Sequence, residues 1–521
     1  MRSRLLTLLT MAALVTSACA STTPSPAPTD AAPSATPTPA FTAAPTPAPT
    51  PAPTPAPLVL KVMDFNIEYG GDEVDFAKIV EAIKKADPDV VALEEAEGNT
   101  RKVAEAIGWP YHSDRTQLVS KFPLIDQPEA KGRYSLVEVR PGEVVAISNV
   151  HLPSDPYGPY DVRDGKPVAD VVKLEQATRM PMLQERLDVL PGLVEQGIPT
   201  FLTGDFNAPS HLDWTDATVG LRPQMKYAMP WPVSTAVEAA GFRDSYRELH
   251  PDPVKDPGLT WWAGRPLIDG YPDPSEPQDR IDIIYAAGNA RTDDIKIVGE
   301  KDGPQVDIAV SPWGTDHRGV VGTFTVTPGM PPPLVSVDDR LVALGDRVLV
   351  RFQTGGLPEE RIDIIAADAP GAPILDAGTL SRHGTWEVDS TGLGVGDYQV
   401  RLIGPGGVTS GAAPFSVSAR GATPVLTLDA ATYKSGDPLT ASWRDAPGSR
   451  WDWIGIYARG GDPLVDSYVY YAYTDQGVLG SVVIDATGEG DWPIPPGKYD
   501  AHYLLDDGYV SLASAPFTVT K

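Results

Sequence analysis

The 521-residue chain has a single cysteine, Cys19, so it can form no intrachain disulfide and its folded parts must hold by packing alone. Basic residues are also scarce: 42 Lys and Arg stand against 69 Asp and Glu, a formal net charge of -27. Tight, non-specific nucleic-acid binding rests on neutralising phosphates with Lys and Arg, so this balance weighs against it. The apolar stretch Leu5–Val15 is too short to cross a membrane as a mature helix. No Cys/His cluster has the spacing of a structural zinc site, and no glycine-rich phosphate loop opens a helix.

The N-terminus has the form of an export signal. Arg2 and Arg4 precede Leu5–Val15, and the small residues TSACA follow. Residues 1–20 are expected to be a signal peptide, with Cys19 placed like the acylated cysteine of a bacterial lipoprotein; ordinary cleavage after a small-x-small site is the alternative. Residues 21–57 are almost wholly Pro, Ala, Thr and Ser, which form no core and act as an extended spacer. The expectation is an exported protein on a tether, held to a membrane if Cys19 carries lipid.

Residues 58–327 alternate strand and helix patterns. In VDFAKIVEAIKK the residues Phe76, Ile79, Val80 and Ile83 make one apolar helical face, stopped by Asp87-Pro88 before a strand at Val90. The stretch 208–275 is rich in loops. PGMPPP at 328–333 marks a boundary, beyond which short strands and Gly turns dominate. That region repeats: GDYQVRL…SGAAPFSV at 396–417 parallels GKYDAHY…LASAPFTV at 497–519. The period is that of an immunoglobulin-like sandwich, so 334–420 and 421–521 read as two all-β Ig-like modules.

Six polar motifs run along 58–327: Asn66 in FNIEYG, Glu95 in VALEEA, His151 in SNVHL, GDFN at 204–207, RIDII at 280–284 and TDHR at 315–318. Four close an apolar β-rich run, RIDII opens one, and TDHR stands just before another. Acidic, amide and imidazole groups are therefore expected along one edge of a stack of strands. RIDII recurs at 361–365, inside the first β module, where Asp363 is expected to be a strand or turn residue without a part in chemistry.

This ordered set resembles the endonuclease/exonuclease/phosphatase superfamily, which includes deoxyribonuclease I and the neutral sphingomyelinases. The resemblance implies a four-layer α/β sandwich, two central β-sheets flanked by helices, and a metal-dependent phosphoester hydrolase. It implies a metal held by Glu95, with Asn66 and Asp316 in support, and Mg²⁺ (or Mn²⁺ or Ca²⁺) as the ion. Asp205 would orient or deprotonate the attacking water, Asn207 would donate to a phosphate oxygen, and His317 would act as base or donor with Asp282 behind it. His151 stands where abasic-site endonucleases carry Asn and where the deoxyribonuclease I and sphingomyelinase-like members carry His. Glu94 occupies a place where Gln is common, and strand alternation lets only one of Glu94 and Glu95 enter the site.

Tyr157, Arg163 and His211 follow the motifs closely and are candidates for the substrate pocket, the alternative being that they pack loops. The second module, with DWIGIY at 452–457, resembles SKICH-type sandwiches. Of its Trp451, Trp453, Tyr468, Tyr470, Tyr471 and Tyr473, half are expected in the core; its partner is unknown. Three functions follow in order: a phosphodiesterase or phosphatase acting on a small or lipid-headgroup phosphoester, an extracellular nuclease, and a non-catalytic surface binding protein.

Overall fold

The structure, a computed structural model, describes residues 55–264, 276–369, 371–378, 380–487, 489–490 and 492–521. Cys19, the signal segment and nearly all of the spacer lie outside the described residues. Residues 54–521 form one compact unit.

Two sheets lie face to face at its centre. The first has seven strands in the order Ile308–Val310, Ala290–Glu300, Gly319–Val326, Leu58–Asn66, Val90–Glu94, Leu118–Ser120, Tyr111–Ser113. The second has six: Leu124–Ile125, Ser135–Arg140, Glu143–His151, Thr200–Asp205, Asp282–Ala287, Arg243–Asp244. Leu58 pairs with Val326, so the first and last strands of this region are neighbours.

Side chains alternate along each strand, and that period builds the layers. Leu60 and Val62, Val90 and Ala92, Val145 and Ile147, Phe201, Ile284 and Phe324 share one buried cluster between the sheets. The opposite face of the first sheet (Met63, Phe65, Val91, Leu93) packs on the helices Phe76–Ala86 and Thr100–Ile107. The outer face of the second (Ala146, Leu202, Ile283, Tyr285) is covered by helices that include Met180–Leu187 and Pro232–Ala239. Helix, sheet, sheet, helix is the four-layer α/β sandwich that the family resemblance implied. The Phe76–Ala86 helix starts where Asp75 accepts from the Ala77 N–H at 2.9 Å. It stops at Asp87, whose left-handed φ of 48° lets its N–H return to the Ile83 carbonyl.

Two all-β sandwiches follow. In 334–418 a three-stranded sheet faces a five-stranded one around Val335, Val350, Ile364, Val400 and Phe415. In 425–520 a three-stranded sheet faces a six-stranded one around Leu439, Trp443, Ile456, Tyr470, Tyr503 and Phe517. The repeated segments form matching hairpins, Gly396–Ile403 with Thr409–Ser418 and Gly497–Leu504 with Ser511–Thr520. Asp363 is buried in the Arg361–Ala366 strand, and both its oxygens accept from Arg401 at 2.8 Å. Of the six aromatics in the second sandwich, Trp453 and Tyr470 are buried, Trp451 and Tyr471 partly so, and Tyr468 and Tyr473 are exposed.

Candidate active site

At one end of the inter-sheet layer the inward positions change from apolar to polar. Leu60 and Val62 give way to Asp64 and Asn66; Val90 and Ala92 to Glu94; Val145 and Ile147 to Asn149 and His151; Phe201 to Thr203 and Asp205. Asp282 opens its strand at the same level. Register completes the convergence: Asn66 is the partner of Glu94, and Asp205 is the partner of both His151 and Asp282.

Glu95 corrects one expectation. It does not close the second strand, which ends at Glu94; it lies one residue beyond, in a left-handed turn with φ of 52°. The turn takes Glu95 out of the strict alternation, so both neighbours point to the site end, Glu94 deep and Glu95 near the surface. Asn66 Nδ2 donates to Glu95 Oε1 at 3.0 Å and lies 3.3 Å from Asp205 Oδ2. The Tyr69 N–H donates to Glu95 Oε2.

Asp205 is the hub. His151 Nε2 and His317 Nε2 each lie 3.7 Å from its Oδ2, and its Oδ1 accepts from the Asn207 N–H at 2.8 Å. Burial pushes Asp205 up, His317 pulls it down and Asp282 pushes it back, leaving it at about 6. Asn207, expected to share an extended backbone with Asp205, instead turns at a φ of 47°. Its amide donates to the Leu152 carbonyl at 3.0 Å and lies 3.2 Å from Asp205 Oδ2, so in this state it braces the hub.

His317 Nδ1 faces both oxygens of Asp282 at 3.0 Å. Burial would lower the imidazolium, but Asp282, then Asp316 and Asp205, outweigh it and raise His317 well above the usual histidine range. Asp282 is fixed in turn by Thr260, whose hydroxyl accepts from the N–H of Ile281 and of Asp282. Asp316 lies 3.8 Å from His317 Nε2, and its N–H donates to Glu68 Oε2 at 3.0 Å.

Among the described residues, two trios of acid and imidazole side chains are close enough to share an ion, Asp205–Asp282–His317 and Asp64–Glu94–Asp282. Neither is the set expected from the motifs. Asp64 and Glu94 are fully buried and raised well above the ordinary carboxylate range, first by burial and then by neighbouring carboxylates, which disfavours both as ionised ligands. Asp205, Asp282 and His317 are already committed to one another as an acid–base relay. Glu95 differs: burial would raise it, but His151 and His317 outweigh that and keep it ionised. Its side chain is 25% exposed and that of Asp316 is 21% exposed. An ionised carboxylate at the open end, with the carboxylate of Asp316 as a further oxygen ligand, fits a hard divalent cation, which bonds oxygen and keeps waters; Asn66, whose Oδ1 accepts from the Glu68 N–H at 3.0 Å, turns its amide nitrogen to Glu95 here.

The three pocket candidates lie apart from this hub. Tyr157 is buried, donates to Asp279 Oδ2 at 3.2 Å and packs edge-on against Trp261, which neighbours His317. Arg163 stacks over Tyr160 at 4.9 Å and pairs with Asp164. His211 spends Nδ1 on Ser234 and Nε2 on Glu238, each at 2.9 Å, which ties its loop to the Pro232–Ala239 helix.

Other residues were not singled out by the motifs. Asp64 was legible in the alternation of LKVMDFN, two residues before Asn66. Glu68, which accepts from Asp316, had no such signal. Nor did a group from the last sandwich. Arg450 Nη2 donates to the Asn149 carbonyl at 2.8 Å and its N–H to the Asp114 carbonyl at 3.0 Å. Asp506 Oδ2 accepts from the Gly98 N–H at 2.8 Å and from Gln117 Nε2 at 3.3 Å. The second sandwich thus grips the turn that follows Glu95.

Residues 65–317 match the Endonuclease/Exonuclease/phosphatase family, and this part of the chain belongs to it. The family is one of metal-dependent phosphoester hydrolases, and the chain is an enzyme of that class. An uncharacterized protein of Caenorhabditis elegans, F14F9.5, is 29% identical over 255 residues, covering 44% of this chain and 79% of that protein. Among solved structures, an endonuclease/exonuclease/phosphatase from Beutenbergia cavernae is 15% identical, covering 69% of this chain and 99% of its own, with a TM-score of 0.32. An AP endonuclease from Archaeoglobus fulgidus is 14% identical, covering 50% and 98%, with a TM-score of 0.31.

Proposed function

We propose that the chain is an exported phosphodiesterase, tethered through Cys19 and its Pro-rich spacer, that cleaves a small or lipid-headgroup phosphoester with Mg²⁺. The observation that carries the reading is the pair of imidazoles, His151 and His317, meeting one oxygen of Asp205 beside an ionised Glu95. Glu95 and Asp316 would hold the ion, which supplies charge neutralisation at the phosphoryl oxygens when bound. Asp205, with a carboxyl poised at about 6, takes a proton from the attacking water near neutral pH. His317, held charged by Asp282, donates to a phosphoryl oxygen, and His151 serves the leaving oxygen. The net charge of -27 favours a small ester over a polyanionic strand.

The test is cleavage of bis-p-nitrophenyl phosphate, p-nitrophenyl phosphate and DNA by the purified protein with Mg²⁺ or EDTA. Metal-dependent cleavage of the diester above the other two supports the reading; a preference for DNA contradicts it. A Cys19→Ala protein that stays in the envelope would contradict the lipid anchor.

A further inference from the structure

Two arginines outside the active site have their charges unanswered. Arg115 lies in the turn between the Tyr111–Ser113 and Leu118–Ser120 strands, and Arg340 in the bend between Leu334–Val337 and Leu341–Ala343 of the first sandwich. Arg115 is 8% exposed, and its Nε and Nη1 are buried without a hydrogen-bond partner. Among the described residues neither guanidinium makes a hydrogen bond or an ion pair. They are close enough for one to act on the other: burial, then Arg115, lowers Arg340 to about 10.

Both arginines border one cavity of about 60 Å³, to which the second sandwich contributes Pro447 and Gly448, so three folded modules meet there. A water needs roughly 10–15 Å³ of such space, and the cavity admits a larger group. Carboxylates line it too, but they are engaged elsewhere. Asp126 accepts from the hydroxyls of Ser113 and Ser135, Asp338 accepts from Arg351 with both oxygens, and Asp339 lies 3.7 Å from Arg101. Burial raises Asp114 to about 6, so a nearby anion can bring it to its protonated form. Two buried like charges without partners are costly, and a guanidinium fork matches two oxygens of a tetrahedral oxyanion.

We propose that Arg115 and Arg340 form an oxyanion site at the junction of the three modules, taking a phosphate or sulfate group. The ion would tie the first sandwich to the turn that carries Asp114, whose carbonyl accepts from the Arg450 N–H at 3.0 Å. Arg340 also borders a cleft of about 770 Å³ between the two sandwiches, lined in part by Val395, Tyr398, Val478 and Leu479. The oxyanion is therefore either free or the head of an organic molecule whose body lies in that cleft. The site is independent of the hydrolase reading.

The experiment titrates sulfate into the full chain by calorimetry in EDTA at constant ionic strength, for wild type, Arg115→Met and Arg340→Met, with circular dichroism confirming that each is folded. The wild type should bind sulfate, and each substitution should weaken binding about tenfold to a hundredfold through the loss of charge-assisted hydrogen bonds. Sulfate should also raise the melting temperature of the wild type and leave that of the variants nearly unchanged. No binding by the wild type, or equal affinity in all three proteins, would overturn the proposal. Phenylglyoxal labelling of the wild type needs no variant: sulfate should protect Arg340, and labelling of Arg340 that sulfate does not alter would overturn the site. Phenylphosphonate against inorganic phosphate separates the two sources. Tighter phosphonate binding that Leu479→Ser abolishes supports an organic ligand and equal binding supports a free ion, each with the same dependence on Arg340.

Discussion

Arg450, in the second sandwich, donates from Nη2 to the backbone oxygen of Asn149 at 2.8 Å, two residues before His151 on the same strand. Burial, then Arg186, pulls Arg450 down and Glu94 pushes it back, leaving it at about 9. Arg450 in turn acts on Glu94, holding its carboxyl below where burial, Asp282 and Asp205 would push it. The distal module is thus built into the electrostatics of the site.

That relation has a thermodynamic signature. Arg450→Met should destabilise the chain, and Glu94→Gln should lessen the cost. A double-mutant cycle by urea denaturation should give a coupling of about 1–3 kcal/mol. Additive single effects would mean that the two side chains ignore each other.

Asp506 predicts a pH effect at the same interface. Burial raises its carboxyl to about 6, above the ordinary aspartate value of roughly 3.9 in an unfolded chain. A raised carboxyl favours the folded state at low pH, and that contribution is lost as pH climbs through the folded value. Asp506→Asn mimics the protonated acid, so its stability relative to wild type should rise between pH 4 and 7, by up to about 3 kcal/mol. Melting curves at several pH values check this.

The two RIDII motifs should respond differently. Asp282→Ala removes the carboxylate behind His317 and should lower kcat by about 10²-fold or more. Asp363→Ala breaks a buried pair with Arg401, and should cost about 2 kcal/mol of stability while leaving kcat/KM near wild type. Kinetics and denaturation on both variants separate the roles.

Much of this was legible in the chain because strand alternation is a local rule. Asn66, His151 and Asp205 stand four residues beyond the apolar inward positions Val62, Ile147 and Phe201, whereas the four-layer order was implied by the family resemblance. Glu95 was placed by the wrong geometry, since a left-handed turn in a non-glycine residue leaves little mark on sequence. Asn207 departs from an extended backbone for the same reason. Arg450 and Asp506 were not legible at all: their partners Asn149 and Gly98 lie some hundreds of positions away, and a repeat that looks like an appended module carries no local sign of docking. His211, close to GDFN in sequence, turns to Ser234 and Glu238, so nearness along the chain did not bring it to the hub.

The central claim is that Glu95 holds a divalent ion at which Asp205, His151 and His317 cleave a phosphoester. Its most direct test is bis-p-nitrophenyl phosphate hydrolysis by wild type, Glu95→Gln and His317→Ala, with Mg²⁺ and with EDTA, circular dichroism confirming that each is folded. The account predicts turnover that EDTA abolishes, that each substitution lowers by about 10²–10⁴-fold, and that excess Mg²⁺ does not restore in His317→Ala. Turnover that persists in EDTA, or in folded Glu95→Gln at the wild-type rate, would contradict it.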